Sequence, residues 1–157
     1  MLLDAGKENM RNLFSAFLFG SVVFINAAFA APIDEARALF DRYVQLEHAF
    51  DPSVAELYAE DALIRNKRTY PTGQVRELSI PAPQYKALIR QAMPLARVRG
   101  DMSSYSEVTF AMEGAGVRIH ATRFSNLKKY ASHLSLLVAP NEVGQWFIRE
   151  ELSESQP

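Results

Sequence analysis

The chain has no cysteine among its 157 residues. Disulfides, thiol nucleophiles, cysteine zinc sites and a lipid-bearing N-terminal cysteine are therefore excluded. Net charge is almost absent. The 17 basic and 18 acidic residues leave a formal −1, so no global field draws the chain to nucleic acid or anionic lipid. Glycine is scarce, at 7 residues, and builds neither a phosphate-cradling loop nor a G-x-S-x-G elbow. H-E-x-x-H is missing, as are internal repeats and low-complexity tracts. None of these patterns implies a cofactor.

What is present amounts to one domain, with 48% apolar residues and length enough for a sizeable core. Leu13 to Ile25 is an apolar run preceded by Arg11 and followed by Ala28-Phe29-Ala30. Its length suits a secretory signal core better than a span of about 20 apolar residues. The expectation is a cleavable signal peptide over 1–30, a mature start at Ala31 and no stable membrane span afterwards. The protein is then periplasmic or secreted. Asp4 and Glu8 are unusual in a signal's first segment, so Met10 is an alternative start.

Ile33, Ala36, Leu39, Phe40, Tyr43 and Val44 recur at helical spacing, with Asp34 as N-cap. Asp51-Pro52 opens a second, short helix ending at Glu60-Asp61. Ala62–Tyr70 and Gln74–Ile80 read as a hairpin around Pro71-Thr72-Gly73. Tyr85, Leu88, Ile89, Ala92 and Met93 give a third helix from Gln84, ended or kinked at Pro94. Four alternating segments follow: 103–112, 117–125, 130–139 and 145–152, a predicted antiparallel meander. The domain is expected to close at Leu152, with 153–157 a loose polar tail.

Helix, helix, hairpin, helix and meander is an α+β order. It resembles the NTF2-like superfamily, a cone-shaped fold that includes ketosteroid isomerases and SnoaL-like polyketide cyclases. The resemblance rests on Arg42-Tyr43-Val44, Leu57 to Ala62 and His120 to Phe124, and covers nearly the whole mature chain. It implies three helices packed on a curved antiparallel sheet, with a pocket between them and a homodimer formed through the sheet. The isomerase oxyanion-hole tyrosine is matched by Tyr43. Its general base falls on Asn66, which cannot accept a proton, and its second oxyanion-hole acid falls on His120.

Short loops would pair Ser125 with Lys128 and Ala139 with Gly144. His120 then faces His133 and Thr109, Glu150 faces His133, and Trp146 faces Leu137. That face also carries Tyr105, Glu107, Phe124 and Ile148. The other carries Val108, Phe110, Val117, Ile119, Ala121, Leu134, Leu136 and Val138. Patterning alone would put this apolar face on the helices. The resemblance implies the reverse, and that is the reading adopted, because Trp146, Ile148, Leu137 and Phe124 would make a costly exposed patch.

The ligand-binding candidates are thus Tyr43, Tyr58, Asn66, His120, His133 and Trp146. His120, His133 and Glu150 could also hold a divalent metal, although a hydrogen-bonded cross-strand row is the plainer reading and no metal is expected. Arg65, Lys67, Arg68, Arg97 and Arg99 read as a solvated edge. The function expected is an accessory or binding role for a small, partly apolar ligand. Two rivals stand beside it: a cyclase, isomerase or hydratase using Tyr43 and a histidine, and an envelope protein-interaction module.

Overall fold

The stripe Ala36, Leu39, Phe40 and Tyr43 lies on one side of helix α1 (Val23–His48), and all four side chains are buried. A computed structural model describes residues 23–156. Most of the expected signal segment lies outside those residues. The expected start at Asp34 is corrected, because α1 begins upstream and holds both Pro32 and Asp34 in its interior. The alanine-rich stretch before Pro32 favours helix, and the interior proline is carried at the cost of one ladder bond and a clash with the preceding turn.

Asp51 caps a 3-10 helix over Pro52–Leu57, its carboxylate accepting from the Ser53 amide at 2.8 Å. Helix α2 spans Ala82–Arg99. Proline at its first turn costs no hydrogen bond. Pro94 does not end it; Gly100, at φ 63°, does.

The strands are β1 (Tyr58–Thr69), β2 (Val75–Pro81), β3 (Ser103–Glu113), β4 (Gly116–Ser125), β5 (Tyr130–Pro140) and β6 (Trp146–Ser155). They form one sheet in the order β2-β1-β6-β5-β4-β3. The meander runs in sequence order as predicted. The sheet is mixed rather than purely antiparallel, because β6 lies parallel to β1. Strand β6 also continues past Leu152, where the domain was expected to close. Ser153 and Ser155 pair with Asn66 and Arg68, so the polar end is held by a ladder.

Val117, Ile119, Ala121, Leu134, Leu136 and Val138 are all buried within the core that α1 joins. The apolar face therefore meets the helices, and His120 and His133 are exposed on the other side. This overturns the adopted face assignment: burying a row of branched aliphatics outweighs covering a mixed face. Two bulges re-sort the remaining residues. One at Glu107, φ 54°, brings Tyr105 to the side of Val108 and Phe110. The other, in the β5–β6 pairing, brings Ile148 and Glu151 inside and leaves Glu150 outside. A bulge adds one residue and reverses the alternation beyond it.

Thr109 faces His120 as predicted. The β4–β5 loop is two residues longer than expected, pairing Ser125 with Tyr130, so His120 faces Ser135 and His133 faces Thr122. Glu150 faces Leu137, and Trp146 faces Pro140.

Candidate functional site

The interior between helices and sheet is built around Glu151, a carboxylate only 1% exposed. Tyr58 of β1 donates its hydroxyl to one oxygen, and Tyr85 of α2 donates to the other at 2.9 Å. The two rings meet edge to face, with centroids 5.4 Å apart. Each oxygen of the buried anion thus has a donor, as burial of charge demands. Beside Tyr58, Lys86 is buried and joins Glu60, with a longer contact to Glu56 at 3.8 Å.

A second group lies toward the end of α1. Tyr43 packs against Phe40 and Tyr105, and the Tyr105 hydroxyl donates to Glu47. Burial pushes the Glu47 carboxyl above the usual carboxylate range, and the Tyr105 hydrogen bond only partly opposes this. Burial, reinforced by negative charge on Glu151, raises the phenols of Tyr43, Tyr58 and Tyr85. Burial also raises Tyr105, with Tyr43 and Glu47 adding to it.

Of these groups, Glu47 also lines a cleft of about 270 Å³. Met93, Ala92 and Ala96 of α2 form its apolar wall. Glu47, Arg123 and Ser132 contribute polar groups from α1 and the sheet. Arg123 lies on the inner face beyond Ala121 and is half-buried.

A larger trough of about 460 Å³ lies at the sheet's outer side, lined by His120, His133, Arg65, Lys67, Glu77 and Leu152 among others. Its basic side chains have partners: Arg65 meets Glu150 at 3.3 Å and Lys67 meets Glu154 at 3.6 Å. Glu150 is also held by Arg118 at 2.6 Å, which in turn grips Glu113. Among the described residues no three His, Cys, Asp or Glu side chains converge as a metal set.

The six sequence candidates do not share one cavity. Tyr43 and Tyr58 are interior, and Trp146 is half-buried at the core's margin. Asn66 is fixed by β6, donating to Ser153 Oγ at 3.0 Å and accepting from Ser155 Oγ at 2.8 Å. Asn66 nevertheless lines the outer trough together with His120 and His133, so three of the six are brought to one cavity.

Sequence reasoning passed over Glu47, Tyr85, Arg123 and Glu151 as site groups. Two were legible. Glu47 is one helical turn beyond Tyr43, and Arg123 continues the alternation Val117, Ile119, Ala121. Glu151 was not, because a bulge decides whether it or Glu150 turns inward.

Comparison with solved structures fixes the architecture. An NTF2-like protein with a cystatin-like fold from Novosphingobium aromaticivorans superposes with a TM-score of 0.57 at 18% identity, covering 84% of this chain and 86% of that one. The chain has the NTF2-like fold. A candidate dehydratase of the NTF2-like family from Streptomyces avermitilis gives a TM-score of 0.55 at 10% identity, over 80% and 96% of the two chains. A candidate ketosteroid isomerase from Parabacteroides distasonis gives 0.51 at 14%, over 76% and 83%. No family model matches the sequence, and no curated protein matches it. At these identities the likeness is one of NTF2-like architecture, and chemistry must be argued from the site.

Proposed function

We propose that the protein is an exported NTF2-like domain that binds a small, partly apolar molecule in the cleft between α2 and the sheet. Its role is that of an accessory or binding protein of the periplasm or extracellular space. The observation that carries this reading is the cleft itself: an apolar wall of Ala92, Met93 and Ala96 faces a few convergent polar groups. The lining as a whole is more polar than that of most small-molecule sites, with Asp101, Lys128 and several serines beside that wall, which suits a ligand only partly apolar. The outer face, with Leu63 and Phe124 exposed, is proposed as a homodimer surface.

A thermal-shift screen with small aromatic and aliphatic molecules tests the cleft, alongside a native mass spectrum searched for retained ligand and dimer mass. A ligand at about 100 times its Kd should stabilise by about 2.7 kcal/mol. Ala92→Trp, which fills the cleft, should remove the shift. A hit that survives Ala92→Trp would place binding elsewhere.

One observation favours an enzyme as the second reading. Glu47 lies at the cleft with its hydroxyl partner Tyr105, and burial raises its carboxyl, the direction of shift that suits a general acid or base. The neighbours called dehydratase and isomerase candidates are in keeping with it. Turnover of a bound ligand that vanishes in Glu47→Gln, with binding retained, would decide for this reading.

A further inference from the structure

Arg118 and Arg123 lie on the same strand but are treated differently. Arg118, on the outer face, grips Glu113 at 2.7 Å and Glu150 at 2.6 Å. Arg123, on the inner face, has no carboxylate within ion-pair distance among the described residues. Its hydrogen bond runs from Nη2 to the Glu154 carbonyl at 3.1 Å. A guanidinium has five N–H donors in a flat fork, so most of this fork is free while the side chain lines the cleft. Arg123 is half-buried, so its free N–H groups remain open to the cleft and available to a ligand.

The surrounding groups bear on what could supply the anion. Glu47 is turned to Tyr105, and Glu151 is saturated by Tyr58 and Tyr85. Neither carboxylate closes onto Arg123. Across the cleft, Ala92, Met93 and Ala96 present only hydrocarbon and thioether. The cleft also carries Asp101 and Lys128, but Asp101, like Glu47, forms no ion pair with Arg123 among the described residues, so a cationic fork stands on one side of an apolar wall.

We propose that the ligand of the cleft carries a carboxylate, and that Arg123 is its anchor. The fork receives the two oxygens side by side, and the ligand's hydrocarbon part lies against α2. This rests on the reading of the cleft as a ligand site and adds the ligand's chemical class to it. The cleft's 270 Å³, at about 30 Å³ for each water-sized group, holds roughly nine non-hydrogen atoms.

Benzoate and benzamide have about that size and differ in charge rather than shape, so they are the probes. Isothermal calorimetry on the purified protein should give benzoate a Kd at least ~10-fold below that of benzamide, as a charge-assisted bidentate contact requires. The preference should collapse in Arg123→Gln and return in part in Arg123→Lys, which keeps the charge and loses the fork. If Arg123→Gln does not fold, ¹⁵N spectra of the wild-type arginine side chains replace it: benzoate, and not benzamide, should shift the Arg123 Nε–H resonance. Equal affinities, binding of neither probe, a preference that survives Arg123→Gln, or an unmoved Arg123 resonance would each overturn the assignment. The cleft reading falls separately, only when the wider neutral screen also yields nothing that Ala92→Trp blocks.

Discussion

Glu151 shows how much one buried side chain can determine. It is held by two tyrosines from different elements, Tyr58 on β1 and Tyr85 on α2, so it ties helix to sheet. Removing one donor leaves a buried carboxylate oxygen short of its partner. Tyr58→Phe or Tyr85→Phe should each cost about 1–3 kcal/mol by urea denaturation. The double variant should depart from the sum of the two, since both donors serve one anion. Additivity within error would mean that the two hydroxyls act independently.

The same cluster sets the response to alkali. Tyr43, Tyr58, Tyr85 and Tyr105 all have phenols raised above the ordinary value of 10.0, chiefly by burial. Above that pH the unfolded chain loses these protons while the folded one keeps them. The folded state then binds more protons, so stability falls as pH rises, by about 1.4 kcal/mol per pH unit for each retained proton. Absorbance at the phenolate band should show these four ionising together, at the same pH at which the far-ultraviolet circular dichroism is lost. Gradual ionisation of all four with the fold intact would contradict the burial. Glu47 has the same sign in acid. Its raised carboxyl contributes fully below the ordinary carboxylate range, and that contribution fades as pH climbs through the folded value.

At the scale of elements, the α+β order was legible because each segment carries its own signal. The stripe from Ala36 to Tyr43, the Asp51-Pro52 start and the four alternating runs all sit where the periodicity puts them. The parallel contact of β1 with β6 carries no local mark, since it joins segments as far apart in sequence as Asn66 and Ser153. Nor do the bulges, which moved Tyr105 and Ile148 to the inner face and left Glu150 outside. The face assignment failed for another reason. Patterning alone puts the apolar face on the helices, where it lies, while the resemblance to the NTF2-like superfamily and the apolar groups of the mixed face imply the reverse. The β4–β5 contact offers a sharp test of register. A Cβ on Gly116 would lie 2.4 Å from the Val138 carbonyl oxygen and 3.0 Å from Ala139 Cβ. Backbone cannot yield cheaply there, so Gly116→Ala should cost about 2 kcal/mol through overpacking. Gly144→Ala meets nothing within 4 Å but sits at φ 82°, and should cost about 1 kcal/mol through backbone strain. A reversed order, read from urea midpoints, would mean that β4 and β5 do not pair as described.

For the whole molecule, the start of the folded domain is set by how much of α1 the core needs. Helix α1 passes through Ala30, the expected processing site, and carries Pro32 in its interior. An interior proline costs a helix about 3 kcal/mol, whereas one in the first turn costs little because no bond is lost there. A chain that starts at Ala31 puts Pro32 in the first turn and removes that penalty. Among the residues whose burial is described, Ala36 is the first buried one, and Phe40, Tyr43 and Leu46 follow on the same face. Export with cleavage after Ala30 therefore predicts a mature mass beginning at Ala31. It also predicts that a recombinant 31–157 chain matches the stability of the full-length protein to within about 1 kcal/mol, the scale of substitutions that touch no packed feature. A loss of several kcal/mol on truncation would show that the upstream turns of α1 pack against the domain, and the assignment of 1–30 as a removable segment would fall with it.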